Sequence, residues 1–281
     1  TRWITPMALW AGDLTLTSGF EYDASSDDRQ GFNNFVGDTL GVQGALRRDE
    51  QDDVTSLSPF AQAAWELGKV QVQSGLRYNH VEFKVDDRFV SGTNGDDSGS
   101  VSYEKTTPML AALYRLTPTV NLYASAARGF EAPTFNEMFY SSSGSFNYGL
   151  KPATSTHLEA GVKAFIGAGS RLDLAVFEVR TQDELVVASS SGGRTAFQNA
   201  GETTRRGLEL ALDSRWSEAW SSRISYTGLD ARFSESYTFR TAPPTVVTPS
   251  RVCRAAIWVR VETRSFASRF DSGSSIRKTC G

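Results

Sequence analysis

The chain has 281 residues, of which 40% are hydrophobic and 22% charged, and its formal net charge is −3. This length is enough for one or two domains with a sizeable core. The mean hydropathy is −0.32 and no run of about 18 apolar residues occurs, which excludes a transmembrane helix. A transmembrane β-barrel is not excluded, because only every second residue of its strands has to be apolar.

The two ends of the sequence differ from its middle. Residues 1–12 have neither a basic start nor a long apolar core, so we predict no signal peptide and expect a fragment or a processed piece. Residues 249–281 contain six Arg and one Lys against one Glu and one Asp, and also both cysteines, Cys253 and Cys280. We therefore divide the chain into a partial barrel, 1–248, and an atypical basic tail, 249–281, arising from a shifted reading frame or forming a disordered extension.

Alternating apolar and polar residues predict about nine or ten β-strands, because successive strand side chains point to opposite faces. Leu158, Ala160 and Val162, for example, share one face of their strand, while Glu159 and Lys163 share the other. The clearest predicted strands are 14–22, 54–66, 69–85, 103–116, 119–128, 156–166, 170–185, 203–214 and 219–233. The pattern indicates an all-β, antiparallel fold.

The predicted connections are alternately short and long. Short turns fall near 11–12, 67–68, 117–118, 167–169 and 215–218, and long polar connections near 24–53, 87–101, 129–155, 187–202 and beyond 234. This arrangement is typical of outer-membrane β-barrels, which have tight periplasmic turns and long extracellular loops. In 69–85 the apolar face changes phase at Val81, Phe83 and Val85, which we attribute to a strand that has left the bilayer.

Aromatic residues recur at both ends of the predicted strands, as expected for rings at the two membrane interfaces. The predicted interface aromatics are Trp10, Trp65, Trp216, Trp220, Tyr22, Tyr78 and Tyr226.

Three stretches resemble TonB-dependent outer-membrane receptors. They are 121–139 (NLYASAARGFEAPTFNEMF), 147–163 (NYGLKPATSTHLEAGVK) and 197–212 (FQNAGETTRRGLELAL), and in the second Ala153 replaces the family's usual Glu. The resemblance implies a Gram-negative outer-membrane barrel of about 22 strands, of which this chain would supply part. It also implies an N-terminal plug domain and a TonB box for energy coupling through TonB, both of which we expect to lie outside this chain.

The resemblance further implies uptake of a scarce nutrient, usually a ferric siderophore and sometimes cobalamin or another small cofactor. Outer-membrane lipid and lipopolysaccharide would surround the barrel. The ligand-loop candidates are Arg128, Phe139, Tyr140, Phe146 and Tyr148, although loop packing explains the aromatic ones equally well. Residues 24–53 hold seven acidic residues against three Arg, which favours a neutral or cationic ligand over a strongly anionic one.

Other classes of function find little support in the sequence. His80 and His157 are the only histidines, and no third ligand accompanies His157 and Glu159, so we expect no metal site. No nucleophile–base set, phosphate loop or dinucleotide fingerprint occurs, so we expect no enzyme, no cofactor and no catalytic residue. The basic tail has no nucleic-acid-binding signature. A passive porin-like barrel and a secreted β-rich binding protein remain alternatives.

The chain alone should neither insert stably into a membrane nor transport. A part of a barrel has two open strand edges, and each unpaired backbone group in hydrocarbon costs several kcal/mol. Heat-modifiable migration on a gel, combined with resistance to urea extraction from membranes, would contradict this expectation.

Overall fold

The structure is a computed structural model that describes residues 1–9, 11–92, 94–139, 146–191, 194–240, 245–247, 251–263 and 273–279. For residues 191 and 194, and for those beyond 240, only the backbone is described. Within these ranges, no helix combines the length and the hydropathy needed to cross a membrane.

The described residues form eighteen strands and one short helix. In chain order they are β1 (Arg2–Leu9), β2 (Gly12–Phe32), β3 (Phe35–Val36), β4 (Thr39–Leu40), β5 (Leu46–Leu67), β6 (Val70–Asp87), β7 (Gly99–Thr117), β8 (Val120–Glu131), α1 (Phe135–Met138), β9 (Ala153–Ile166), β10 (Ser170–Gln182), β11 (Leu185–Ser191), β12 (Arg194–Asn199), β13 (Thr203–Arg215), β14 (Trp220–Phe233), β15 (Tyr237–Phe239), β16 (Thr245–Val247), β17 (Arg251–Thr263) and β18 (Gly273–Thr279).

Twelve of these strands form one antiparallel sheet, in the order β1-β2-β5-β6-β7-β8-β9-β10-β13-β14-β17-β18. Each strand of this sheet therefore pairs with its neighbours along the chain, and the remaining strands form small hairpins within the long connections. The predicted all-β, antiparallel fold is confirmed. Ten of the twelve strands precede residue 240, in agreement with the predicted nine or ten.

The register gives the sheet two chemically different faces. Leu122, Val162, Leu174 and Leu210 lie in one cross-strand row, on what we call the outer face. Asn121, Lys163 and Asp173 occupy the adjacent row on the opposite, inner face. Leu76, Leu110 and Val176 on the outer face are half exposed, as expected for side chains whose neighbours are lipid rather than protein.

Two glycines form tight turns at the predicted short connections. Gly68 has a φ of +57° between β5 and β6, and Gly167 has a φ of +60° between β9 and β10. A side chain rarely adopts this left-handed conformation, so glycine suits both turns. The predicted short turns at these two places are confirmed.

The predicted long connection at 24–53 is mostly wrong. The ladder between β2 and β5 continues from Ala24↔Thr55 to Phe32↔Leu46, and only about a dozen residues remain between the two strands. Residues 24–53 are polar on both faces of the strands, so their sequence resembles that of a loop. Backbone pairing does not require an apolar face once both faces are in water, so the strands continue beyond the apolar part of the sheet.

The predicted basic tail includes two strands of the large sheet. The backbone of β17 pairs with β14 from Trp220↔Thr263 to Arg232↔Arg251, and β18 pairs with β17. The side chains of these strands lie outside the described part of the structure. The division of the chain at residue 248 and the origin of the tail stay predictions.

Candidate functional site

The inner face carries linked polar side chains, which suits a water-filled or protein-filled lumen. Arg77 of β6 donates a hydrogen bond at 2.6 Å to Glu21 of β2, across the intervening strand β5. The Tyr123 hydroxyl donates one to Glu159 at 2.6 Å. Phe60 and Thr107 help Glu21 and Arg77 to line a cavity of about 770 Å³ on this face. A cavity of this size can hold a small-molecule ligand.

A folded segment covers the inner face above this cavity. This segment, which we call the cap, comprises residues 132–139 and 146–150 and contains α1. Thr134 begins the helix with a capping box, in which its backbone N–H donates to Glu137 at 2.8 Å. The capping box thus satisfies the backbone N–H group of Thr134 at the start of the helix.

The cap is anchored by a hydrophobic core that it forms with the strands. Met138 and Leu150 of the cap pack against Phe83 and Tyr103, and all four residues are buried. The Tyr103 hydroxyl also donates a hydrogen bond to the Leu150 carbonyl at 2.8 Å. This core explains the phase change of β6, since Val81 and Phe83 have the cap, and not lipid, as their apolar environment.

Three of the predicted ligand-loop aromatics pack with one another in the cap. The ring centroids of Phe139 and Phe146 are 5.3 Å apart, and those of Phe146 and Tyr148 are 4.7 Å apart. Phe139 is buried, Phe146 and Tyr148 are half-buried, and Tyr140 lies outside the described residues. Phe139, Phe146 and Tyr148 thus have a packing role, and a role in ligand binding stays a prediction.

Arg128 is not near these aromatics. It lies within β8, not in a loop, and the register puts it on the outer face, in a row with Thr156 and Arg180. Arg128 is nevertheless among the residues that line the cavity of about 770 Å³ beside Glu21 and Arg77. Its role as a ligand contact stays a prediction.

A charged cluster lies beneath Phe139. The Arg29 guanidinium carbon is 3.7 Å from the centre of the Phe139 ring, and Arg29 also pairs with Asp52 at 3.2 Å and with Glu50 at 3.5 Å. Arg48 pairs with Glu50 at 3.6 Å. Asp52 is only 1% exposed and one of its carboxylate oxygens has no hydrogen-bond partner.

Burial is the main cause of the pKa shifts in and around this cluster. Desolvation raises the pKa of Asp52 and of Glu50 above their ordinary values, although the nearby arginines act in the opposite direction. Burial, reinforced by the negative charge of Asp97, likewise raises the pKa of Tyr148 to about 12. The cap therefore rests on carboxyl groups that favour their neutral form more than exposed carboxyl groups do.

Asn199 joins the β11–β12 hairpin to Lys151, the residue that follows the cap. Its side-chain amide donates to the carbonyls of Lys151 and Asp183, both at 2.8 Å, and its side-chain oxygen accepts from the Lys151 N–H at 2.8 Å. Leu185 and Phe197 of the hairpin also pack against the core of the cap. Sequence reasoning missed this contact, because nothing in the local pattern relates residues so far apart.

The predicted interface aromatics that lie in described strands all occupy the outer face. Tyr22, Trp65, Tyr78 and Tyr226 lie on the outer face by their register, as does Trp220 at the start of β14. Trp216 is 72% exposed in the turn before β14, and Trp10 lies outside the described residues. Contact with the membrane interface stays a prediction for all of them.

The histidines make local contacts. His157 shares a hydrogen bond of 2.7 Å with Ser155, and His80 contacts Glu104 at 3.2 Å. Within the described ranges, no group of three or more His, Cys, Asp or Glu side chains is arranged to hold a metal ion.

Comparison with known proteins shows one consistent relationship. The family model described as TonB dependent receptor-like, beta-barrel matches residues 2–261. The vitamin B12 transporter BtuB of Photobacterium profundum is 26% identical over 232 residues, which are 80% of this chain and 33% of that protein. The metal-pseudopaline receptor CntO of Pseudomonas aeruginosa is 27% identical over 149 residues, 53% of this chain and 20% of that protein.

Solved structures share the fold. The siderophore receptor PiuA from Acinetobacter baumannii superimposes with a TM-score of 0.69 and 18% identity, over 92% of this chain and 43% of that one. The chain thus spans about a third of the length of the first curated relative that it matches.

Truncation of Met138 should release the cap. Met138→Ala leaves a cavity in a small core and should destabilise the docked cap by about 2–5 kcal/mol. Hydrogen exchange and limited proteolysis should then show a loss of protection at residues 132–139 and 146–150. Met109→Ala, on the inner face away from the cap, is the matched control, and equal protection in both variants would contradict this anchoring role.

Docking of the cap should strengthen as the pH falls. Burial raises the pKa of Asp52 and Glu50 in the docked form. The docked form should therefore bind protons more readily than an undocked form in which water reaches both carboxyls. The stability of the docked form relative to the undocked form is greatest when both carboxyls are protonated. This stability declines as the pH rises through the raised pKa values. Asp52→Asn should weaken this dependence, as measured by exchange protection of the cap between about pH 4 and 8.

Asp53→Asn provides the control for that experiment. It removes the same charge one residue away, on the opposite face, where a hydrogen bond from Ser26 lowers the pKa of Asp53. An equal loss of pH dependence in both variants would assign the effect to net charge rather than to burial.

Proposed function

The chain belongs to the TonB-dependent receptor-like β-barrel family, and on this premise we propose that it is part of a receptor for active uptake of a scarce nutrient. Members of the family are Gram-negative outer-membrane proteins, so the barrel lies in that membrane. The family is one of transporters, which confirms the prediction that the chain is not an enzyme. The observation that carries the proposal is the family match over residues 2–261, nearly the whole chain.

Ligand capture is proposed for the inner face below and around the cap. The cavity beside Glu21 and Arg77 opens on this face, and Leu185 and Phe197 of the β11–β12 hairpin pack against the core of the cap. An ordered wall of this kind favours binding, because little conformational freedom is lost when the ligand arrives. The cap aromatics would then shape the wall, with Phe139 acting through packing rather than through direct contact.

The proposed ligand is a ferric siderophore, with cobalamin or another small cofactor as the second candidate. Two of the seven acidic residues in 24–53, Glu50 and Asp52, are buried against arginines, while Asp27, Asp28 and Asp38 are exposed. The exposed acidic residues create a negative electrostatic potential at this end of the sheet. This potential supports a neutral or cationic ligand over a strongly anionic one.

Energy coupling is proposed to come from TonB. The plug and the TonB box through which it would act belong to the longer receptor that the family relationship implies. A passive porin-like barrel would have the same lumen and the same two faces, but its flux would not depend on an energy source.

Uptake by cells that carry the receptor should therefore need the proton gradient. An uncoupler should abolish accumulation of radiolabelled ferric siderophore or cobalamin above the external concentration, while binding to the cell surface remains. A strain without TonB should behave in the same way. Accumulation that survives both treatments, or equilibration without accumulation in untreated cells, would support the passive barrel and contradict active transport.

A further inference from the structure

The backbone pairing between β7 and β8 stops before either strand ends. The two strands are paired as far as Met109↔Ala127, and no pair between them lies beyond that point. Gly99–Pro108 of β7 and Arg128–Glu131 of β8 nevertheless remain strands, because β7 is still paired with β6 and β8 with β9. The wall of the sheet therefore has an opening between these two stretches, which we call the slot.

Pro108 occupies the position at which the pairing stops. The backbone N–H of Arg115 donates to the carbonyl of Lys69, next to the start of β6. In antiparallel strands, successive residues bond alternately to the neighbour on one side and to the neighbour on the other. Odd-numbered residues of β7 therefore bond to β6, and even-numbered residues, including Pro108, are directed towards β8. Proline has no N–H group to donate, so it ends the pairing on that side only.

Proline alone does not explain why the slot stays open. Pro59 of β5 interrupts the pairing of β5 with β6, but that pairing resumes two residues away at Leu57↔His80. Beyond Pro108 the pairing with β8 does not resume. The alternation along β8 assigns Phe130 to the outer face, yet its side chain packs against the core that the cap forms with the strands. The end of β8 thus bends towards the cap and away from β7.

The slot leaves one edge of β7 without a backbone partner among the described residues. Ser100, Ser102, Glu104 and Thr106 direct their N–H and C=O groups into the slot, where these groups bond to no other described residue. All four residues are exposed. Pro108 lies about nine residues from the short turn after β7, which is the length of strand that crosses the hydrocarbon layer. The open edge therefore begins where water can reach it.

This edge differs from the two ends of the large sheet. β1 and β18 are the end strands of the sheet in this chain, and further strands of a complete barrel would pair with them. The slot, in contrast, lies between two strands that follow each other in the sequence. Strands added elsewhere in the barrel do not close it, so the edge of β7 belongs to the complete receptor as well.

The edge has few of the features that usually protect a strand edge from pairing with another chain. Such edges are blocked by proline, by charged side chains, by a bulge or by a covering loop. Residues 100–106 (SVSYEKT) contain no proline, and their Val, Tyr and Thr favour strands. The Tyr103 hydroxyl donates to the Leu150 carbonyl of the cap, but no described cap residue pairs with the backbone of this edge.

We propose that the slot binds an extended peptide segment of another protein at the cell surface, which adds to the edge of β7 as a further strand. Main-chain hydrogen bonds to Ser102, Glu104 and Thr106 supply the affinity, because a peptide in β-conformation matches the spacing of these groups. The Glu104 side chain is 58% exposed beside His80, so it favours Lys or Arg at the opposite position of the added strand. This site is distinct from the lumenal cavity proposed for the nutrient.

The test uses the complete receptor that carries these residues, purified in detergent, with a short probe peptide in which Thr and Val alternate and Lys replaces the central Thr. Binding is measured by fluorescence anisotropy of the labelled probe, relative to receptor-free micelles. Ser102→Pro removes one N–H group from the slot without removing a hydrogen bond to β6, and it should weaken binding by about tenfold. Ser102→Ala is the matched control, because it keeps the backbone N–H group, and it should leave binding unchanged.

Methylation of the probe separates backbone pairing from side-chain contact. When Lys lies opposite Glu104, the amides of Lys and of its Thr neighbours face β7, while the amides of Val face away. N-methyl groups on the first set should abolish binding, and N-methyl groups on the second set should preserve it. Residue-resolved hydrogen exchange should show that the unmethylated probe slows exchange at Ser102, Glu104 and Thr106.

A charge reversal tests the preferred partner. Glu104→Lys should weaken binding of the Lys probe and strengthen binding of the same peptide with Glu at its centre. Unchanged binding to Ser102→Pro, equal losses from both methylation patterns, or no binding of the unmethylated probe at millimolar concentration would overturn the proposal. Heat-modifiable migration of every variant shows that the barrel is formed. Nutrient uptake does not enter these measurements, so their failure is distinguishable from failure of the proposed transport function.

Discussion

Every strand of the large sheet depends on one constraint, the need to pair all backbone hydrogen-bonding groups inside the hydrocarbon layer. Water is absent there, so an unpaired N–H or C=O group costs several kcal/mol. Strands that pair only with their neighbours in the chain meet this requirement with short connections at one end, as the order of the twelve-stranded sheet shows. Side chains are then free to differ on the two faces, apolar towards lipid and ion-paired towards the lumen.

Beyond the apolar part of the sheet, the backbone hydrogen bonds between neighbouring strands support the cap instead of crossing the hydrocarbon layer. β2 and β5 remain paired from Ala24↔Thr55 to Phe32↔Leu46 and provide a rigid wall in water. The cap packs on the inner side of this wall through Met138 and Leu150, and buried carboxyl groups lie under Phe139. The proposed capture of a ligand at the lumen and contact with lipid at the outer face would thus use opposite sides of the same strands.

The alternation of apolar and polar residues, which repeats every two residues along a strand, was sufficient to predict much of this architecture. It predicted the strands around Leu158 and Leu174, the short turns at Gly68 and Gly167, and the face on which Tyr22, Trp65 and Tyr78 lie. It failed at 24–53, where polar residues on both faces resemble a loop although they form paired strands. It also did not identify the apolar partner of Val81 and Phe83, because that partner is the cap, more than fifty residues further along the chain.

The sequence by itself determined the fold class, the family and the two faces, because these depend on local alternation and on short motifs such as 121–139. Only the tertiary structure decided which residues meet. It brought Asn199 to Lys151 and Asp183, placed Arg29 on the ring of Phe139, and aligned Arg128 with Arg180 across β9. The reason is physical: alternation fixes the face of each side chain, but strand register and loop folding fix its neighbours, and both arise from contacts distant in sequence.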